Sequence, residues 1–124
     1  MPRTLLVIDD DSDIRQVAQT SLELVGGFRV LLADSGQLGL TTACETKPDA
    51  IILDLMMPDL DGRTTLSRLK QSLETATIPV IMLTAKVQAD RQDLIARGAA
   101  GVLVKPFDPM LLPTQIREIL EWTD

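Results

Sequence analysis

The sequence predicts one α/β domain in which helices cover both faces of a parallel sheet. Three observations lead there. Five short apolar runs are continuous rather than alternating: Leu5 to Ile8, Val30 to Ala33, Ala50 to Leu53, Val80 to Leu83 and Val102 to Val104. Such runs fit strands buried on both faces. Stretches with helical spacing lie between the runs and after the last, giving the order βαβαβαβαβα, and strict alternation favours right-handed crossovers with helices on both sides. The third observation is bulk: 124 residues, 45% hydrophobic and 24% charged, suit one globular domain with a single core.

The elements follow in order. After the first run, Ile14, Val17, Ala18, Ser21, Leu22 and Val25 keep helix spacing, and Gly26-Gly27 stops that helix. Leu40, Ala43 and Cys44 form a second stripe after Ser35-Gly36, and place Cys44 in the core. Leu66, Leu69 and Leu73 form a third after the Asp61-Gly62 turn, and Leu94 with Ile95 a fourth that ends near Gly98. Leu112, Ile116, Ile119 and Leu120 form the last, opened by Asp108-Pro109 as cap and first helical residue. Pro113 falls one turn later, where proline removes a backbone bond, so this helix either starts late or has a loosened first turn. No repeat, low-complexity tract or linker interrupts the pattern, and residues 1–124 are read as one domain without a visible output domain.

Composition removes several kinds of chemistry. The formal charge is −6, from 12 Lys and Arg against 18 Asp and Glu. An acidic surface repels phosphate backbones, and no basic run offsets it, so direct nucleic-acid binding is not expected. The apolar runs are far shorter than a bilayer span, and Met1-Pro2-Arg3-Thr4 does not open a signal peptide, so no membrane insertion is expected. One cysteine, Cys44, excludes an internal disulfide and fits a reducing cytoplasm. With no histidine, His-dependent hydrolysis, His-ligated zinc and histidine phosphotransfer are all excluded. Chemistry must come from carboxylates, lysines and hydroxyls.

Such groups stand at the ends of the apolar runs. The first ends in Asp9-Asp10-Asp11, the third in Asp54, the fourth in Thr84 and the fifth in Lys105-Pro106. Open parallel sheets bind ligands outside the carboxyl ends of their strands, so the fold gathers these groups at one rim. Crowded carboxylates raise one another's pKa unless a cation intervenes. Oxygen-only ligands suit a hard ion such as Mg²⁺, and Lys105 adds a fixed positive charge. A phosphoryl group can then lie between metal and ammonium with Thr84 as donor, and Asp54 is a nucleophile able to form an acyl phosphate.

Leu6-Val7-Ile8-Asp9-Asp10, Ile52 to Pro58 with Gly62, Ile81 to Ala85, and Val104-Lys105-Pro106-Phe107 together resemble the receiver domains of response regulators. The resemblance spans essentially the whole chain. It implies a doubly wound, flavodoxin-like five-stranded sheet in the order 2-1-3-4-5, flanked by five helices. By matching position it implies Asp54 as phosphoacceptor and Asp10 as direct ligand of Mg²⁺. Asp9 then acts through water, and the Met56 backbone carbonyl is the third protein ligand. It also implies Thr84 and Lys105 as the phosphoryl-sensing pair, and a cis Lys105–Pro106 bond. One departure is Val102, where many relatives carry an aromatic residue that turns inward when the threonine moves. Val102 either sits permanently inward or leaves the signal to loops and helices. Met56 and Lys86 occupy positions that influence how fast water reaches the acyl phosphate.

The implied function is a phosphorylation-dependent switch of a two-component system or phosphorelay. Its phosphodonor is a sensor histidine kinase or histidine phosphotransfer protein, and its output is contact with a downstream protein target, as in single-domain chemotaxis-like regulators. The domain is a switch rather than an enzyme, catalysing only its own phosphorylation and dephosphorylation. Ala100 to Val104 lacks the acidic residue common in one DNA-binding subfamily of dimeric receivers, so a monomer or weak dimer is expected. Two alternatives compete. One is a receiver-like module that binds its target regardless of phosphate; the other is a Mg²⁺-dependent phosphatase of another α/β family. Taken singly, the residues have plainer readings: the Asp9 to Asp11 run as a helix cap, Asp54 as a turn residue, Thr84 as a cap and Lys105 as a solvated charge. Asp59-Leu60-Asp61-Gly62 lacks the remaining ligands of a calcium loop and reads as a turn and helix start.

Overall fold

The computed structural model describes residues 2–123. Five parallel strands, β1 (Thr4–Ile8), β2 (Arg29–Ala33), β3 (Ala50–Asp54), β4 (Val80–Thr84) and β5 (Gly101–Val104), form one sheet in the order β2-β1-β3-β4-β5. The helices are α1 (Ser12–Thr20), α2 (Gly36–Thr46), α3 (Gly62–Gln71), α4 (Val87–Ala96) and α5 (Leu112–Leu120).

The apolar runs are continuous because alternate side chains enter two different cores. Leu6, Ile8, Ile51, Leu53, Val80 and Met82 face one side, packed with Ala43 of α2, Leu66 and Leu69 of α3, and Leu94 of α4. Leu5, Val7, Ala50, Ile52, Ile81 and Leu83 face the other, against Ala18 of α1, Leu22, and Leu112 and Ile116 of α5. The period of 2 survives, with both faces apolar. Ile51, Ile52 and Leu53 are fully buried. Each contributes on the order of 1.5–3 kcal/mol relative to exposure. That anchorage holds a buried carboxylate at the next residue, Asp54.

Register fixes which strand ends meet. Ile8 pairs with Leu53, Asp54 with Leu83, and Thr84 with Val104. The ladder runs one residue past the strands: Asp9 N–H donates to Ala33 O at 3.1 Å, Leu55 N–H to Leu83 O at 3.1 Å, and Lys105 N–H to Thr84 O at 2.9 Å. The residues that follow β1, β3 and β5 are therefore held at one edge by backbone bonds, with Thr84 at the end of β4 between them.

Several sequence expectations change. After α1 the chain makes a π-helical turn (Ser21–Val25) before Gly26, and Gly27 takes a φ of 73°, which glycine adopts without steric cost. Cys44 is exposed, not in the core; its thiol donates to a Glu74 carboxylate oxygen at 2.7 Å. Leu73 lies beyond α3 and is 96% exposed, so the third stripe ends at Leu69. The last helix does start late. Asp108 Oδ1 accepts from Met110 N–H at 2.9 Å, closing a turn, and α5 begins at Leu112 with Pro113 inside its first turn. Proline's missing donor costs nothing there. Val102 is 4% exposed and packs in the core with Met82 and Leu94, so it lies inward in this structure. Trp122 is half-buried beneath the Arg3 guanidinium, 4.1 Å from its ring centre. Among the described residues no helix is long and apolar enough to cross a membrane.

Candidate functional site

The loop after β1 separates three neighbouring aspartates by role. Asp9 is fully buried. Its Oδ1 accepts from Asp11 N–H at 2.9 Å and its Oδ2 from Lys105 Nζ at 3.0 Å. Asp10 is exposed at the rim. Asp11 is the N-cap of α1, accepting from Asp13 and Ile14 N–H. The plain capping reading is therefore right for Asp11 and not for its two neighbours.

Carboxylate oxygens of Asp9, Asp10 and Asp54 lie within 4.8 Å of one another. Asp54 ends β3, is 2% exposed, and offers Oδ1 to Lys105 Nζ at 3.1 Å. Its Oδ2 is the one buried side-chain oxygen or nitrogen without a hydrogen-bond partner among the described residues. Behind it, Gly62 is so close that a Cβ there would stand 2.5 Å from the Asp54 carbonyl oxygen and 2.6 Å from Leu55 Cα. Only glycine lets α3 start against the end of β3. Asp61 caps that helix through Thr64 N–H at 2.8 Å, as the sequence indicated, while Asp59 accepts from Gly36 and Gln37 N–H at the start of α2, which it did not.

Burial, then the charge of Asp9, raises the Asp54 pKa above the usual carboxylate range, with Lys105 opposing both. Burial works against the charged form of Lys105, but its bonds to Asp9 and Asp54 outweigh that and its pKa is raised. Lys105 is joined to Pro106 by a cis peptide bond. One ammonium thus bonds two of the three clustered carboxylates. An all-oxygen cluster with excess negative charge and an unpartnered buried oxygen fits a hard divalent cation such as Mg²⁺.

Thr84 ends β4 beside this cluster, but its hydroxyl is engaged elsewhere. It donates to Asp90 Oδ2 at 2.7 Å and accepts from Lys86 N–H at 3.1 Å. The Met56 side chain is 76% exposed at the rim. Met56, Lys86, Thr84, Arg63 and Asp90 line a cavity of about 270 Å³. The structure thus brings together Asp9, Asp10, Asp54 and Lys105, with Thr84 and Met56 at the border. Sequence reasoning missed Asp90 and Arg63, joined at 3.1 Å. Their only signal is a charged residue in the first turn of α3 and of α4, the helices that follow β3 and β4.

Comparison with known proteins agrees with this geometry. The family model of the response regulator receiver domain matches residues 5–117. The DNA-binding dual master transcriptional regulator RpaA of Synechocystis is 42% identical over 125 residues, covering 100% of this chain and 51% of that protein. The chain therefore spans about half the length of that relative. The crystal structure of the chemotaxis response regulator CheY4 of Vibrio cholerae superposes with a TM-score of 0.89 at 29% identity, covering 96% of this chain and 99% of that one. The receiver domain of sensor histidine kinase PA1611 from Pseudomonas aeruginosa, solved with a magnesium ion in its active-site cleft, gives a TM-score of 0.85 at 26% identity and covers 98% of this chain and 99% of its own. A five-stranded sheet in the order β2-β1-β3-β4-β5, an acidic rim at its carboxyl edge and a matching family model lead to one conclusion: this chain belongs to the response regulator receiver domains of two-component signalling.

Proposed function

We propose that the domain, residues 1–124 taken as one unit, is a phosphorylation switch that accepts a phosphoryl group on Asp54. The donor is a phosphohistidine of a sensor kinase or phosphotransfer protein. The observation that carries this reading is the Asp54 carboxylate itself: Oδ1 is fixed by Lys105 while Oδ2 is buried and unbonded. A carboxylate oxygen not tied up in a hydrogen bond keeps its lone pairs for attack, and carboxylates serve as covalent nucleophiles. The oxygen attacks phosphorus as the donor's P–N bond breaks, and the imidazole leaves with the electron pair and takes up a proton. Asp9, Asp10, Asp54 and the Met56 backbone carbonyl would hold Mg²⁺. Bound there, the ion supplies charge neutralisation for the phosphoryl oxygens.

Lys105 stays paired with Asp54 Oδ1 and can turn one of its donors to the incoming phosphoryl oxygens. Met56 and Lys86, at the rim, govern how fast water hydrolyses the acyl phosphate. Output is contact with a downstream protein whose affinity differs between the two states. The unpaired Cys44 accords with a cytoplasmic setting. A nucleic-acid-binding role for this domain, or membrane insertion, is not part of the reading. Incubation with acetyl phosphate and Mg²⁺, followed by intact-mass spectrometry, tests it. One phosphoryl group should appear on the native chain and none on Asp54→Asn. A folded native chain that stays unmodified defeats the proposal, and turnover of external phosphomonoesters would indicate a phosphatase instead.

A further inference from the structure

The Thr84 hydroxyl has a single proton, and Asp90 holds it. Thr84 Oγ1 donates to Asp90 Oδ2 at 2.7 Å, while Lys86 N–H occupies an acceptor site on the same oxygen at 3.1 Å. Thr84 is buried, and the Asp90 side chain is only 16% exposed. This charge-assisted bond is therefore partly shielded from competing water. Asp90 is steadied in turn. Its Oδ1 meets Arg63 Nη2 at 3.1 Å, and Arg63 Nε meets Asp93 Oδ2 at 2.8 Å. Arg63 follows Gly62, the residue pressed against the Asp54 backbone, so the pair ties the start of α3 to the start of α4.

We propose that Asp90 is a resting-state latch: it keeps the Thr84 hydroxyl, and with it the first turn of α4, from the phosphoryl group that Asp54 receives. This rests on the reading of Asp54 as phosphoacceptor. A hydroxyl cannot donate one proton to Asp90 and to a phosphoryl oxygen at once. Phosphorylation therefore requires Thr84 to leave Asp90. Departure removes one of the bonds that hold Asp90, leaving Arg63 as its remaining side-chain partner among the described residues. The first turn of α4 is then free to shift. With Val102 packed inward and no aromatic at that position, this exchange of partners is the link from site to surface. Asp90 is a positioning residue that acts through Thr84.

A bond present only in the unphosphorylated state lowers affinity for a phosphoryl mimic by its own strength. The test is calorimetric titration of the full chain with beryllofluoride and Mg²⁺, in the native protein, Asp90→Ala, Thr84→Ala and the double variant. Removing a hydrogen bond to a charged group predicts roughly tenfold tighter binding for Asp90→Ala. Asp90→Asn, which keeps an acceptor without the charge, should fall between. In the Thr84→Ala background the gain should vanish, which general loosening of α4 would not produce. A second readout needs no metal or mimic: in the free chain, Asp90→Ala should shift the Thr84 methyl resonance and speed amide exchange at Lys86. If Asp90→Ala fails to fold, Asp90→Asn and Arg63→Gln carry the measurement, with smaller gains in the same direction. Native-like affinity in the Asp90 variants, or an equal gain without Thr84, overturns the latch alone. Absence of beryllofluoride binding by the folded native chain removes the phosphoacceptor reading and the latch with it.

Discussion

Asp54→Asn should make the cation-free domain more stable at neutral pH, although it removes a partner of Lys105. The carboxylate is 2% exposed, and one of its two oxygens has no hydrogen bond. A buried polar atom left in that condition costs about 1–3 kcal/mol. Burial and the Asp9 charge both raise the Asp54 pKa above its ordinary value of 3.8. The sign follows directly. Between that value and the raised one the folded state binds more protons than the unfolded, so stability falls as pH rises through the window and stays reduced above it. Asparagine takes no part in that titration, and its amide adds donors beside Asp9 and Asp10 in place of a charge. Lost attraction to Lys105 offsets part of the gain, leaving a net of about 1 kcal/mol at pH 7. Urea unfolding in EDTA measures it, and the advantage over the native chain should shrink as pH is lowered towards the ordinary carboxylate range. Adding Mg²⁺ should reverse the ranking. A ligand at tenfold its Kd stabilises by about 1.4 kcal/mol, and the variant has lost one of its three carboxylates. An Asp54→Asn chain less stable than the native one in EDTA would refute the reasoning, because Lys105 would then more than neutralise the site.

Lys105→Met leaves Asp9 and Asp54 facing each other without their cation and should cost about 2–3 kcal/mol in EDTA, the usual cost of stripping a buried pair reduced for partial exposure; Mg²⁺ should restore part of it in the same unfolding assay. Gly62→Ala drives a methyl into the backbone of Asp54 and Leu55, and thermal unfolding should register a loss of about 1–3 kcal/mol. Hydrogen bonding to Glu74 holds the Cys44 thiol above its ordinary pKa, so Glu74→Gln should lower it and speed iodoacetamide alkylation at pH 8 by about twofold or more. An unchanged rate would mean that the thiol does not sense that carboxylate.

The sheet was legible because β1, β3 and β4 are buried on both faces, and nothing but an unbroken apolar run satisfies that condition. The rim was legible for a related reason. Neighbouring parallel strands in register end together, so the residue at or after the end of each run arrives at the same edge. Helix detail was less readable. Cys44 follows Ala43 on α2, but a one-residue step turns a side chain through about 100°, enough to carry it from core to solvent. Leu73 fits the spacing of α3, yet the helix has already ended at Gln71. Asp90 is only six residues from Thr84, but no spacing rule says that a first-turn acid folds back onto a strand end, and Arg63, which steadies it, comes from another helix 27 residues away. Long-range polar contacts are decided by how helices land on the sheet, which pattern reading does not supply.

Lys105 stands at the end of an edge strand, yet its ammonium reaches Asp9, 96 residues earlier, beyond two intervening strands. The counter-ion of the acidic rim is thus the last of the converging groups to be synthesised. A chain interrupted before β5 still possesses Asp9, Asp10 and Asp54 but lacks the ammonium that bonds Asp9 and Asp54. The charge balance of the rim is therefore set only once the far border of the sheet has closed on its beginning.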